Sequence, residues 1–102
     1  MDNNQGELRT KQVIIDVSNV ETLLQFHQLL KEKLSFPDIY GNNWAAFWDV
    51  ISRMIELPMK ITFIGWGHLY QRFPEDAEIM MSKFEKLNKK YPSEAAEIEY
   101  RE

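Results

Sequence analysis

FPDIYGNNWAAFWDVISRMIELP, residues 36–58, carries a turn, a helix start and a helix stop within one short run. Pro37 bars any helix from passing through Phe36. Gly41 and Asn42 supply turn chemistry, and Asn43 is placed to cap a helix expected from Trp44 to Ile55, with Pro58 just past its end. Four aromatic rings beyond Phe36 (Tyr40, Trp44, Phe47 and Trp48) and an isolated carboxylate, Asp49, share the segment. A stretch this rich in Tyr, Trp, Phe and Asp, with no cysteine, metal-ligand cluster or phosphate loop, suits gripping a partner better than performing chemistry.

Spacing divides the expected helix into two faces. Trp44, Phe47, Ile51 and Ile55 advance by three and four and form a core-like side. Ala45, Asp49, Ser52 and Glu56 share the other side, with Trp48 at its edge and Tyr40 and Asn42 in the loop just before it. Such an acidic knob framed by aromatics can enter a cationic pocket, where a carboxylate takes the place of a phosphate. The bland alternative pairs Asp49 with Arg53 at i, i+4, a contact worth about 0.3–0.5 kcal/mol on a helix surface. The rise between Asp49 and Glu56, about 10.5 Å on a helix, exceeds the separation of paired-carboxylate hydrolases.

Outward from this run, residues 13–17 (VIIDV) read as a buried strand, and Ser18 with Glu21 has the form of a capping box. Leu23, Phe26, His27, Leu30 and Leu34 then mark one stripe of a first helix, with His27 as a core-edge histidine bonded to backbone or a carboxylate. Residues 59–64 (MKITFI) alternate as a second strand, with Ile61 and Phe63 on one side, and Gly65 and Gly67 punctuate a turn. His68 to Phe73 form a short helical turn. Pro74, followed by Glu75, Asp76 and Glu78, opens a longer helix with Ile79, Met80, Phe84 and Leu87 as its buried stripe. Residues 96–100 close the chain as a third strand. This order calls for crossovers, so the expected fold is α/β, a small three-stranded parallel sheet packed with three to four helices.

The chain has 102 residues, 44% hydrophobic and 13% aromatic, which fits one domain over residues 11–102 after a polar leader at residues 1–10 that is expected to be mobile. A net charge of −4 disfavours nucleic acid as a direct ligand and permits a basic protein partner. Absence of cysteine rules out thiolate chemistry and a disulfide framework. With two histidines, a metal site would need carboxylates at undefined spacing, so no metal and no cofactor is expected. No basic region followed by an apolar one opens the chain, and no apolar run approaches the ~18 residues of a membrane span. A cytoplasmic location is expected.

From His27 to Pro58 the chain resembles the barstar family, intracellular bacterial inhibitors of extracellular ribonucleases. The resemblance rests on His27, Gln28 and Leu30, then Pro37, Asp38, Tyr40, Gly41 and Asn43, then Ala46, Trp48 and Asp49, then Glu56 and Pro58, without a gap. It implies a barstar-like fold and no catalysis. The second helix and its preceding loop would lie over a ribonuclease active site, with Asp49 filling the place of substrate phosphate. The partner-binding positions it implies, together with the partner face above, are Ile39, Tyr40, Gly41, Asn42, Asn43, Ala45, Trp48, Asp49, Ser52 and Arg53. The chain departs from the family at Ile39 (a tyrosine there), Ala45 (a second contacting aspartate) and Met54 (a tryptophan). Lys86 falls at a contacting glutamate. Losing two acidic contacts lowers electrostatic steering toward a basic ribonuclease and shifts specificity. The alternative is a barstar-fold interaction module, an antitoxin or regulator, whose partner is not a ribonuclease.

Overall fold

The computed structural model describes residues 9–102. Its elements in chain order are β1 (Gln12–Asp16), α1 (Leu23–Leu34), α2 (Trp44–Asp49) running on into a π-helical turn (Val50–Met54), and β2 (Lys60–Ile64). Then come α3 (Trp66–Arg72), α4 (Pro74–Lys90), a 3-10 turn (Pro92–Glu94) and β3 (Glu97–Tyr100). The strands pair in parallel in the order β1-β2-β3, which with four α-helices is the α/β arrangement expected. Both crossovers step the same way across the sheet, and the right-handed sense that such connections favour places helices on one face.

That placement explains the strand patterns. Ile15, Ile61 and Phe63 point under the helices and are fully buried, whereas Ile14, one residue out of phase, is 56% exposed. The open face is held by polar contacts across the strands. Gln12 Nε2 donates to Thr62 Oγ1 (3.0 Å), and Lys60 Nζ lies 3.3 Å from Glu99. β1 starts one residue earlier than expected and ends at Asp16, although the Val17 amide still bonds the Ile64 carbonyl at 2.9 Å.

The first helix begins later than the Ser18–Glu21 pattern suggested. Ser18 is taken by Asp16, whose Oδ1 accepts from both its amide and its hydroxyl, and the capping box is formed instead by Thr22 and Gln25. Its buried stripe is Phe26, His27, Leu30 and Leu34; Leu23, expected to head that stripe, is only partly buried at the first turn. In α4 the buried stripe is Ala77, Met80, Phe84 and Leu87; Ile79 lies off that line and is exposed. Gly67 is helical, because α3 starts at Trp66, and only Gly65 serves the turn. Gly65 has φ 73°, and a Cβ there would stand 2.5 Å from the Ser18 Cβ, so the exits of β1 and β2 cross closely at a glycine.

The third strand begins at Glu97, and Ala96 before it is buried, with its amide and carbonyl both bonded to the Asn88 side chain. Of the leader read over residues 1–10, residues 1–8 lie outside the described residues. Arg9 is tied down. Its Nε donates to the Leu57 carbonyl (2.6 Å) and its Nη2 to the Ala95 carbonyl (2.7 Å), joining the approaches to β1, β2 and β3.

Candidate protein-interaction site

The loop ahead of α2 is shaped from beneath. Phe36 is buried, the Tyr40 amide bonds the Pro37 carbonyl (3.0 Å) in a turn, and the Tyr40 ring packs edge-on against Phe36 with centroids 4.9 Å apart. Tyr40 Oη and His27 Nδ1 share a buried hydrogen bond of 2.6 Å, so the first helix holds the loop through a side chain, where a backbone or carboxylate partner for His27 was expected. Asn42 takes a left-handed conformation (φ 56°), tolerable for asparagine. Asn43 then caps α2: its Oδ1 accepts from the Ala46 amide (2.8 Å) and its Nδ2 donates back to the Gly41 carbonyl (3.2 Å).

The α2 helix is clamped on its inner side. Phe47 is fully buried, and Trp44 Nε1 donates to Asp76 Oδ1 (2.8 Å) at the start of α4. Asp76 reads in the sequence only as a favourable acid at a helix N-terminus; nothing in the local spacing couples it to a residue 32 positions earlier.

The helix does not continue regularly to Ile55. After Asp49 it widens into the π turn, and Ile55 is already extended (φ −134°). Ser52 contributes, since its hydroxyl donates to the Trp48 carbonyl at 2.6 Å, a back-bond that bends helices. Glu56 therefore lies beyond the helix, and the expected line from Ala45 through Asp49 and Ser52 to Glu56 is broken at its last member. An open groove of about 400 Å³ is also found elsewhere, between α4 and β3, lined by Met81, Phe84, Ile98 and Tyr100, but none of the sequence-derived site residues reaches it.

Of the ten residues expected to meet a partner, Gly41, Asn42, Asn43, Ile39, Ala45 and Arg53 are exposed, and Trp48, Asp49 and Ser52 are half-buried along the same side. Tyr40 is the correction. Only 5% exposed, it shapes the loop from inside and offers no surface. Asp49 keeps 47% of its side chain exposed, and one oxygen pairs with Arg53 Nη2 at 3.1 Å, the i, i+4 contact that the spacing allows. Trp48 has a neighbour the sequence did not suggest: Lys86 Nζ of α4 stands 4.5 Å from its ring centroid, a cation–π contact.

Burial pushes the His27 pKa below its ordinary value, with the Asp76 charge opposing, and burial raises that of the Tyr40 phenol. Both groups are neutral partners near neutral pH. A histidine with a lowered folded-state pKa binds its proton more tightly when unfolded. Its contribution is thus complete above about pH 6.5 and is lost as pH falls from there toward the folded value. Unfolding free energies from denaturant titrations at about pH 7.5 down to about pH 5 should fall with a slope of at most ~1.4 kcal/mol per pH unit. His27→Asn, which keeps a polar δ atom but cannot titrate, should flatten that slope; an unchanged slope would remove His27 as its source.

Among known proteins, the chain is similar to the "Putative ribonuclease inhibitor YrdF" of Bacillus subtilis (strain 168), at 39% identity over 51 residues. That match takes in 50% of this chain and 56% of the relative, so the chain spans little more than half the length of the curated relative it matches. A capped second helix after a pinned loop, a three-stranded parallel sheet and a match over residues 10–101 to the family described as Barstar (barnase inhibitor) agree, and the chain belongs to that family.

Proposed function

We propose that this protein is an inhibitor of a ribonuclease, which it blocks by laying α2 and the loop before it over the enzyme's active site. Asp49 is the residue that enters the site of the substrate phosphate. The observation that carries this reading is the half-exposed Asp49 carboxylate on a helix that is capped by Asn43 and clamped by Phe47 and Trp44. Its partner Arg53 is 71% exposed, and a surface pair of that kind is worth little. A cation in an enzyme pocket can replace Arg53 at small cost. The family and the ribonuclease-inhibitor name carried by the Bacillus relative support the same class of target.

Inhibition of this kind needs neither turnover nor a cofactor, because a rigid surface excludes substrate by occupying its place. Titrating the purified protein into a guanyl-preferring secreted ribonuclease should abolish activity linearly, with an end point at one inhibitor per enzyme. Residual activity at several-fold excess across a panel of such enzymes would defeat the proposal. Capture of a non-nuclease protein on the same face would then favour an interaction module instead.

A further inference from the structure

Four side chains, from three helices and the loop before α2, form one chain of contacts. Asp76 Oδ1, in the first turn of α4, accepts from Trp44 Nε1 at 2.8 Å. The Trp44 ring lies against the His27 ring of α1, with centroids 4.4 Å apart. His27 Nδ1 in turn shares its 2.6 Å hydrogen bond with Tyr40 Oη in the loop. Asp76 and Tyr40 stand at opposite ends of this chain.

Each link constrains the next. Trp44 is the first residue of α2 and is half-buried, so without an acceptor its indole N–H would turn toward water and draw the ring away from His27. A carboxylate is a stronger acceptor than a neutral group, and it holds that rotamer. Burial lowers the His27 pKa and the Asp76 charge opposes it, so the carboxylate is felt at the imidazole as well as at the indole. His27 and Tyr40 are 4% and 5% exposed, and parting them would leave buried polar atoms unpaired. Tyr40 then sets its neighbours: with its ring held inside, Ile39 and Gly41 on either side of it are exposed. Trp44 fixes the exit of the loop and Tyr40 its middle.

Resting on the inhibitor reading above, we infer that Asp76 is a positioning residue for inhibition: through Trp44 and His27 it holds Tyr40, and so the loop 37–43, in the shape that meets the enzyme. A loop already ordered in the free protein does not have to be ordered on binding, and that cost is what Asp76 removes.

The test uses three variants. Asp76→Ala removes the acceptor, and Asp76→Asn keeps an acceptor oxygen without the charge. Glu75→Ala removes the other first-turn acid of α4, and with it a similar interaction with the helix terminus. Inhibition is measured against a guanyl-preferring secreted ribonuclease that the wild type blocks, at a temperature where every variant is folded. Asp76→Ala should weaken it about 10-fold. Asp76→Asn should recover most of that loss, and Glu75→Ala should inhibit like the wild type. In the free protein the Tyr40 amide, bonded to the Pro37 carbonyl, should exchange faster in Asp76→Ala while the β2 amides keep their protection. Added to Tyr40→Phe, Asp76→Ala should weaken inhibition little further, since both act through one chain of contacts. Unchanged inhibition by Asp76→Ala, unchanged Tyr40 exchange, or an equal loss in Glu75→Ala overturns the inference and leaves the inhibitor reading standing. If the wild type blocks no such enzyme, the inhibitor reading falls, and Tyr40 exchange in Asp76→Ala against Glu75→Ala still decides whether Asp76 holds the loop.

Discussion

Asp49→Ala is expected to weaken inhibition of the target ribonuclease by about 2–5 kcal/mol, ~30- to ~5,000-fold in Kd, mostly through faster dissociation. That range is the cost of truncating one partner of a buried charge pair, for which the barnase–barstar complex is a reference case. The reason for a large effect is asymmetric. The enzyme pocket built for phosphate would be covered by the helix and left with cations that have neither substrate, water nor carboxylate beside them. In the free protein the same change costs almost nothing, because Asp49 contributes only an exposed pair with Arg53. Asp49→Asn separates shape from charge, since it retains the side-chain volume and one acceptor. Inhibition constants for the three proteins, measured beside their denaturant midpoints, provide the check. If both variants inhibit like the wild type at unchanged stability, Asp49 is not the phosphate mimic.

The parts of this site legible from sequence are those governed by neighbours along the chain. The first helix ends just short of Pro37, Asn43 starts the next and Pro74 starts another, because a proline or a capping oxygen acts within a few residues. The parallel sheet follows from element order and the crossovers it requires. What was hidden depends on competition or on distance. Ser18 and Thr22 are both plausible caps, and Asp16 decides between them by taking Ser18. Tyr40 sits in a polar turn, where a surface position is the ordinary expectation, yet His27 from the previous helix draws its hydroxyl inside. The π turn differs from an α-turn by one residue of hydrogen-bond register, and the periodicity of 50–54 is compatible with either. Lys86 reaches Trp48 from 38 positions away, which no local pattern encodes. The Asp49 carboxylate itself was legible in position, while the charges surrounding it became visible only once α4 was packed beside α2.

Phe47→Ala should produce the largest loss of stability among single changes near the site, about 3–5 kcal/mol. Phe47 is fully buried, and its ring meets Trp44 at 5.1 Å, Phe84 at 5.3 Å and Phe36 at 5.9 Å between centroids, each edge-on. It therefore joins α2 to α4 and to the loop at once. Removing it takes away the transfer free energy of the ring and leaves a space that three aromatic neighbours cannot all collapse into. Against a total of about 5–15 kcal/mol for a domain, this is a large share, and the melting temperature should fall by more than ~10 °C. The loss should be uneven. Phe47 holds the inner side of the short helix that carries Asp49, so the α2 amides should open to hydrogen exchange well before those of β2, whose Ile61 and Phe63 remain buried. Inhibition by the folded variant should weaken too, since a loosened helix must be reordered before Asp49 can be presented. Ile14→Ala provides the contrast: that side chain lies on the open face of the sheet, and its removal should leave both exchange at α2 and inhibition unchanged. If Phe47→Ala lowers protection uniformly across the domain and inhibits normally at a temperature where it is folded, the helix is not held by this aromatic cluster, and the rigidity of the Asp49 platform has another source.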